Sequence, residues 1–161
     1  MAVDYHLKID TIEGESQDRK HKNWMELKGW NWGESNDGSS SVGSGAGSGK
    51  VAMQDFQFVI QCGISSPKLF LACATGEHFP RAVLHASKAG GQQETFVEWK
   101  FGDILISSYQ TGGQGDSDAL PTDRISFNFT KIEMEYWPQT RSGSRGAGVK
   151  AGYDLKKGQK V

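Results

Sequence analysis

A chain of 161 residues with a formal net charge of −1 fits one domain and can enclose a real core. That charge excludes a general nucleic-acid binder, which needs a basic excess to displace counterions from phosphates. No apolar run reaches bilayer-spanning length, so membrane insertion is not expected, and the opening MAVDYHLKID lacks a signal-peptide core.

Tyr5, Leu7 and Ile9 alternate with His6, Lys8 and Asp10, which predicts a first strand with one buried face. Residues 14–23 read as a polar loop. Residues 24–32, WMELKGWNW, predict the next strand, but its apolar parity slips between Met25 and Leu27 on one side and Trp30 and Trp32 on the other. A bulge near Gly29 would reconcile the two halves by re-aiming every later side chain. The tryptophans carry too much apolar area for a solvated strand and belong in a core or an interface.

A glycine-serine loop is expected over 34–49, followed by a strand over 51–62. Ala52, Phe56, Phe58, Ile60 and Cys62 fall on one side of it, and Gln57, Val59 and Gln61 on the other. The glycine loop superficially resembles a phosphate cradle. A G-x-x-x-x-G-K-[ST] motif ending at Gly49-Lys50 would need glycine at Ser44 and a hydroxyl at Val51. A strand rather than a helix also follows, so no helix N-terminus faces an anion.

A short helix is predicted next. Ser66 is its N-cap, Pro67 its first residue, Leu69, Phe70, Leu71, Ala72 and Cys73 its apolar face, and Gly76 its left-handed stop. Strands are predicted over 81–88, over 94–101 with Val97, Trp99 and Phe101 on one side, and over 104–109. A polar loop follows to residue 123. Residues 124–136 predict a long strand whose parity changes around Thr130, a sign of a bulge or of a strand shared by two sheets. A linker over 138–148 precedes a last strand over 149–155. Many short strands with one helix imply a β-barrel or compact sandwich.

The chemistry is sparse. His6, His21, His78 and His85 show no ligand spacing, and solvated or hydrogen-bonding roles are expected, with His6 and His85 at outward strand positions. Cys62 and Cys73 are read as small buried thiols. No catalytic residue, metal or cofactor is expected, and no enzymatic activity. The aromatic strands do offer apolar residues at both parities. One barrel interior cannot cover both, so self-association is expected, and a heterologous contact that closes makes a ring. The alternative from the residues alone is a monomeric carbohydrate-type binding barrel that uses tryptophans as stacking platforms.

KIDTIEGESQD (8–18) with His21 after it, WNWGES (30–35), GKVAMQDF (49–56), SPKLFLACATGEHFP (66–80), KAGG (88–91), ISSYQTGG (106–113) and VKAGYDL (149–155) resemble the haemolysin-coregulated protein (Hcp) family, in particular its longer members. The resemblance runs almost the whole chain. It implies one mainly β domain over 1–161, an Hcp-like six-stranded β-barrel with one short flanking α-helix, a flexible loop over 36–49 and a linker over 138–148. It further implies homohexameric rings stacked as the inner tube of the type VI secretion apparatus. The implied partners are a VgrG-type spike protein, a contractile sheath and small effector proteins held in the lumen. Such a chain is cytoplasmic and then leaves through the apparatus without a cleaved signal.

Residue by residue, the resemblance places Asn31 toward the lumen, where relatives carry small serine-like residues, and His6 where an apolar residue is usual. Gly43, Ser44, Gly45, Gly47, Gly49, Gly90 and Lys157 become ring-stacking candidates. Trp30, Trp32, Phe56, Phe58, Trp99 and Phe127 are the expected core and interface residues.

Overall fold

The computed structural model describes residues 2–38, 50–89 and 93–161. In chain order the elements are β1 (Val3–Ile9), β2 (Met25–Glu26), β3 (Gly29–Asn31), β4 (Glu34–Asn36), β5 (Val51–Met53), β6 (Phe56–Gln61), α1 (Ser66–Thr75), β7 (His78–Lys88), β8 (Thr95–Gly112), β9 (Thr122–Asn128), β10 (Lys131–Tyr136), β11 (Val149–Asp154) and β12 (Gln159–Lys160).

The ladder closes on itself. β1 pairs with β7, β7 with β8, β8 with β9, β9 with β6 and β6 with β3, all antiparallel. The segment 25–31 completes the circuit, because its first half pairs with β1 and its second half with β6. At the changeover the Leu27 N–H donates to the Tyr5 carbonyl over 2.9 Å and the Lys28 N–H to the Val59 carbonyl over 2.8 Å. This is the expected six-position barrel, with no free edge in that circuit. The parity slip is real, but the break falls at Leu27–Lys28, just before Gly29.

Period-two alternation fills the interior. Leu7, Ile9, Phe56, Phe58, Leu84, Phe101, Ile104, Ile125 and Phe127 are at most 2 % exposed. Phe56 lies 5.0 Å by ring centroid from both Phe101 and Phe127, and burying each such ring contributes about 1.5–3 kcal/mol.

Several expected boundaries move. Residues 94–101 and 104–109 belong to one strand of 18 residues, β8. It passes through Gly102 and through Asp103 at φ 54°, a kink the chain survives because both of its flanks stay paired. The predicted strand over 124–136 is two, β9 and β10, broken at Phe129–Thr130. β8 spans both, pairing with β10 over residues 97–102 and with β9 over 105–112. β11 and β12 then extend outward from β10. Glu34–Asn36, expected as loop, forms a separate hairpin with β5. The glycine-serine segment over 39–49 lies outside the described residues.

The helix begins one residue earlier than predicted, with Ser65 at the N-cap and no side-chain capping bond, and stops at Gly76 with φ 71°. Leu69 and Ala72 face inward, whereas Phe70 and Leu71 are 59 % and 56 % exposed. Five consecutive apolar residues cover every side of a helix, and only those about one turn apart share a face. Cys62 is exposed rather than buried, because β6 ends at Gln61; Cys73 is half-buried. No helix among the described residues is long and apolar enough to cross a membrane.

Candidate functional site

The outer face of β3, β6, β9 and β8 is a polar wall built by register. Asn31 pairs with Gln57, Gln57 with Ser126, and Ser126 with Ser108. One step along, Val59 pairs with Arg124 and Arg124 with Gln110. These side chains share a face because they sit opposite one another in antiparallel strands. They line a shallow depression of about 170 Å³ in which, among the described residues, Arg124 is the one charged side chain. A register shift between Ile106 and Ser108 brings consecutive serines to the same side. Ser107 Oγ lies 2.8 Å, and Ser108 Oγ 2.5 Å, from Ser126 Oγ, and Ser107 also donates to Asp55 Oδ2 over 2.6 Å. The wall offers amides and hydroxyls with little net charge.

Asn31 is exposed on this wall while Trp30 and Trp32 are half-buried on the opposite side. The indoles find their partners within the protomer. Trp30 packs edge-on to Tyr5 and stacks with Phe56, and Trp32 contacts Trp99 and Phe129 while its Nε1–H donates to the Gln54 carbonyl over 2.9 Å. Flanked in this way, neither ring is an open stacking platform. Phe56, Phe58 and Phe127 are core residues and Trp99 is half-buried. Lys157 is exposed in the turn between β11 and β12. Gly43, Ser44, Gly45, Gly47, Gly49 and Gly90 lie outside the described residues. The β4–β5 hairpin and the β11–β12 turn border an open cleft of about 810 Å³ lined by Lys50, Met53, Tyr153 and Leu155.

The histidines correct their sequence reading. His6 and His85 do point out of the barrel, directly paired across β1 and β7, yet His6 is only 4 % exposed because the loop 10–24 folds over them. That loop delivers His21, itself 2 % exposed. The His21 ring stacks on His6 at 4.4 Å and 2°, and Trp24 covers both His21 and His85. Three residues scattered in sequence meet because register and a loop bring them together. The matching outward parity of His6 and His85 was the available signal.

Burial is the first cause lowering the pKa of all three rings, with His21's charge a further cause for His6. Burial acts the other way on Asp18, but its hydrogen bond to His21 brings the carboxyl below its usual range. Ligand atoms of His6, Asp18 and His21 lie within 4.8 Å of one another. The parallel stacking of the two rings nevertheless puts their in-plane lone pairs in separate planes, where they do not converge on one ion.

The chain matches the family model described as "Type VI secretion system effector, Hcp" over residues 6–136. It is 38 % identical over 158 residues to Protein hcp1 of Pseudomonas aeruginosa, covering 97 % of each chain. Among solved structures it is similar to a type six secretion system protein at TM-score 0.91 and 33 % identity, covering 99 % of this chain and 100 % of that one. It is also similar to Hcp1 from Salmonella typhimurium at TM-score 0.81 and 29 % identity, over 99 % and 100 % of the two chains. Family model, relative and fold agree along nearly the whole length: this chain belongs to the Hcp family of type VI secretion system proteins.

Proposed function

We propose that the protein is a non-enzymatic subunit of the type VI inner tube: six copies close into a ring, rings stack, and the lumen carries small effector proteins. The supporting observation is where apolar surface is left over. Ile64, Phe70, Leu71 and Leu120 are each more than half exposed at the helix end of the protomer, where Phe70 meets Tyr109 of β8. Tyr136 and Val149, 45 % and 71 % exposed, face each other across β10 and β11 beside Val97, near the other end of β8.

Tyr109 and Val97 lie toward opposite ends of β8, at most about 40 Å apart at about 3.3 Å per residue and closer where the strand kinks at Gly102–Asp103 and shifts register after Ile106. Two unlike patches far apart on one protomer suit a heterologous, head-to-tail contact, and such a contact forms a ring when its rotation closes. The tryptophans, satisfied internally, are not needed for it.

In this reading the polar wall with Asn31 lines the hole. Amides and hydroxyls hydrogen-bond many partners without strong selection by charge, which suits a carrier of varied small proteins. The hairpin cleft and Lys157, together with Gly90 and residues 36–49, serve ring-to-ring contacts. The VgrG-type spike and the sheath meet the ends and the outside of the tube. Negative-stain imaging of the purified chain tests the reading. Six-fold rings with a central hole are expected, and a field of uniform particles the size of one barrel would refute it.

A further inference from the structure

Asp18, His21, His85 and Glu98 form one hydrogen-bonded series. Asp18 Oδ2 lies 2.6 Å from His21 Nδ1, His21 Nε2 lies 2.8 Å from His85 Nδ1, and His85 Nε2 lies 2.7 Å from Glu98 Oε2. The His21 and His85 rings cross at 84°, as two imidazoles do when one donates in-plane to the other. Three contacts in series need three protons. Two neutral imidazoles bring two, and two carboxylates bring none. If each ring gives its proton to its carboxylate, the middle contact sets lone pair against lone pair. If His21 donates to His85 instead, its Nδ1 lone pair faces Asp18. The geometry is satisfied only with one proton more than neutral rings supply, which leaves the four groups with a combined charge of −1.

We propose that Asp18, His21, His85 and Glu98 are a proton-sharing clasp that fastens the 10–24 loop to the barrel wall near neutral pH and releases it in acid. The excess proton lies between two carboxylates, which favours keeping it. A second one would place two imidazolium rings N to N over the same 2.8 Å. His6, stacked on His21, adds like charge once it too is protonated.

The neighbouring charges are Asp4 and Glu26 beside His6, Lys20 beside His21, and Lys100 beside His85. Burial lowers the pKa of all three rings and so opposes the shared proton as well as a second one. The short contacts to Asp18 and Glu98 act against burial for the shared proton, and nothing comparable holds a second. The unfolded chain takes the second proton near the ordinary histidine value of about 6.5, so below that value stability falls as pH drops toward the folded values. The shared proton, kept by the folded chain above that value, adds stability that is lost as pH rises through its own folded value. Loop 10–24 is the segment to open first. It has no regular structure beyond an isolated bridge between Ile9 and Ile12, and a few internal bonds hold it, among them Gly14 N–H to the Asn23 carbonyl and Asn23 N–H to the Ser16 carbonyl.

Hydrogen exchange of the full-length protein, corrected for intrinsic rates, tests this between pH 7.5 and 5. The amides of Gly14, Ser16, Asn23 and Trp24 are expected to lose protection by about tenfold per pH unit below the transition, while β8 and β9 amides hold theirs. The variant His85→Gln can still bridge His21 and Glu98 and removes the imidazolium pair, leaving only the His6–His21 stack to repel, so the loop should lose far less protection between the two pH values than in the parent chain. Imidazole ¹⁵N resonances at pH 7.5 should show one extra proton between His21 and His85. Two fully neutral rings, or acid opening that His85→Gln leaves unchanged, would overturn the proposal. Added Zn²⁺ should not alter loop exchange; protection that depends on zinc would assign the missing cation to a metal and overturn it equally.

Discussion

Ser66 donates its hydroxyl proton to Asp123 Oδ2 over 2.5 Å, and the Gly63 N–H donates to Ser66 Oγ over 3.0 Å. Asp123 is wholly buried, so this bond ties the first turn of α1 to β9 inside the protein. Removing a hydrogen-bond partner from a buried carboxylate costs more than the bond contributes net, because the carboxylate stays desolvated. Ser66→Ala is therefore expected to lower unfolding free energy by about 2–3 kcal/mol. Ser65→Ala, whose side chain makes no capping bond, should cost well under half of that. Urea melts of the two variants provide the check, and equal losses would show that the buried pair has no special weight.

Gly76 closes α1 at φ 71°, and nothing lies within 4 Å of where a Cβ would sit. The cost of Gly76→Ala is thus conformational alone, about 1 kcal/mol. A thermal melt should register that loss with the far-UV spectrum unchanged. A loss several times larger would mean that the helix end makes a contact absent from the protomer.

How much was legible follows from the range over which each signal acts. β1, the alternation of Phe56, Phe58 and Ile60, and the helix between Pro67 and Gly76 depend on neighbours in sequence, and the sequence shows them. The continuity of β8 through Gly102 and Asp103 does not, since partners on β7, β9 and β10 hold that kink open. Phe70 and Leu71 read as part of the helix's apolar face because five apolar residues in a row hide which side turns inward. The wall around Asn31 needed cross-strand register to bring in Gln57, Arg124 and Ser126. The histidine cluster needed a loop to fold back over two strands.

Phe127 is fully buried among Phe56, Phe58 and Phe101. Phe127→Ala should destabilise the protomer by about 3–5 kcal/mol, the loss of transfer energy plus the cavity left behind. Phe70→Ser with Leu71→Ser should leave protomer stability within about 0.5 kcal/mol yet weaken assembly. Denaturation monitored alongside sedimentation separates the two effects. If the surface pair unfolds the chain and leaves assembly intact, the leftover apolar surface near α1 has been misassigned.

Asn31 projects from the polar wall, and in a six-fold ring one substitution there is repeated around the hole. Asn31→Arg should leave ring mass unchanged while reducing co-purified effector by about tenfold, equivalent to about 1.4 kcal/mol. Pull-down from cells that express the effector, followed by quantitative mass spectrometry, reads this directly. Undiminished cargo on intact rings would place the lumen on another face.

If further copies cover the unlike apolar patches at the two ends of β8, the purified chain assembles on its own. Native mass spectrometry at low micromolar concentration reads the outcome. A dominant species at six times the 17.6 kDa chain mass is the expected result. A single species at 17.6 kDa across the whole concentration range would contradict it.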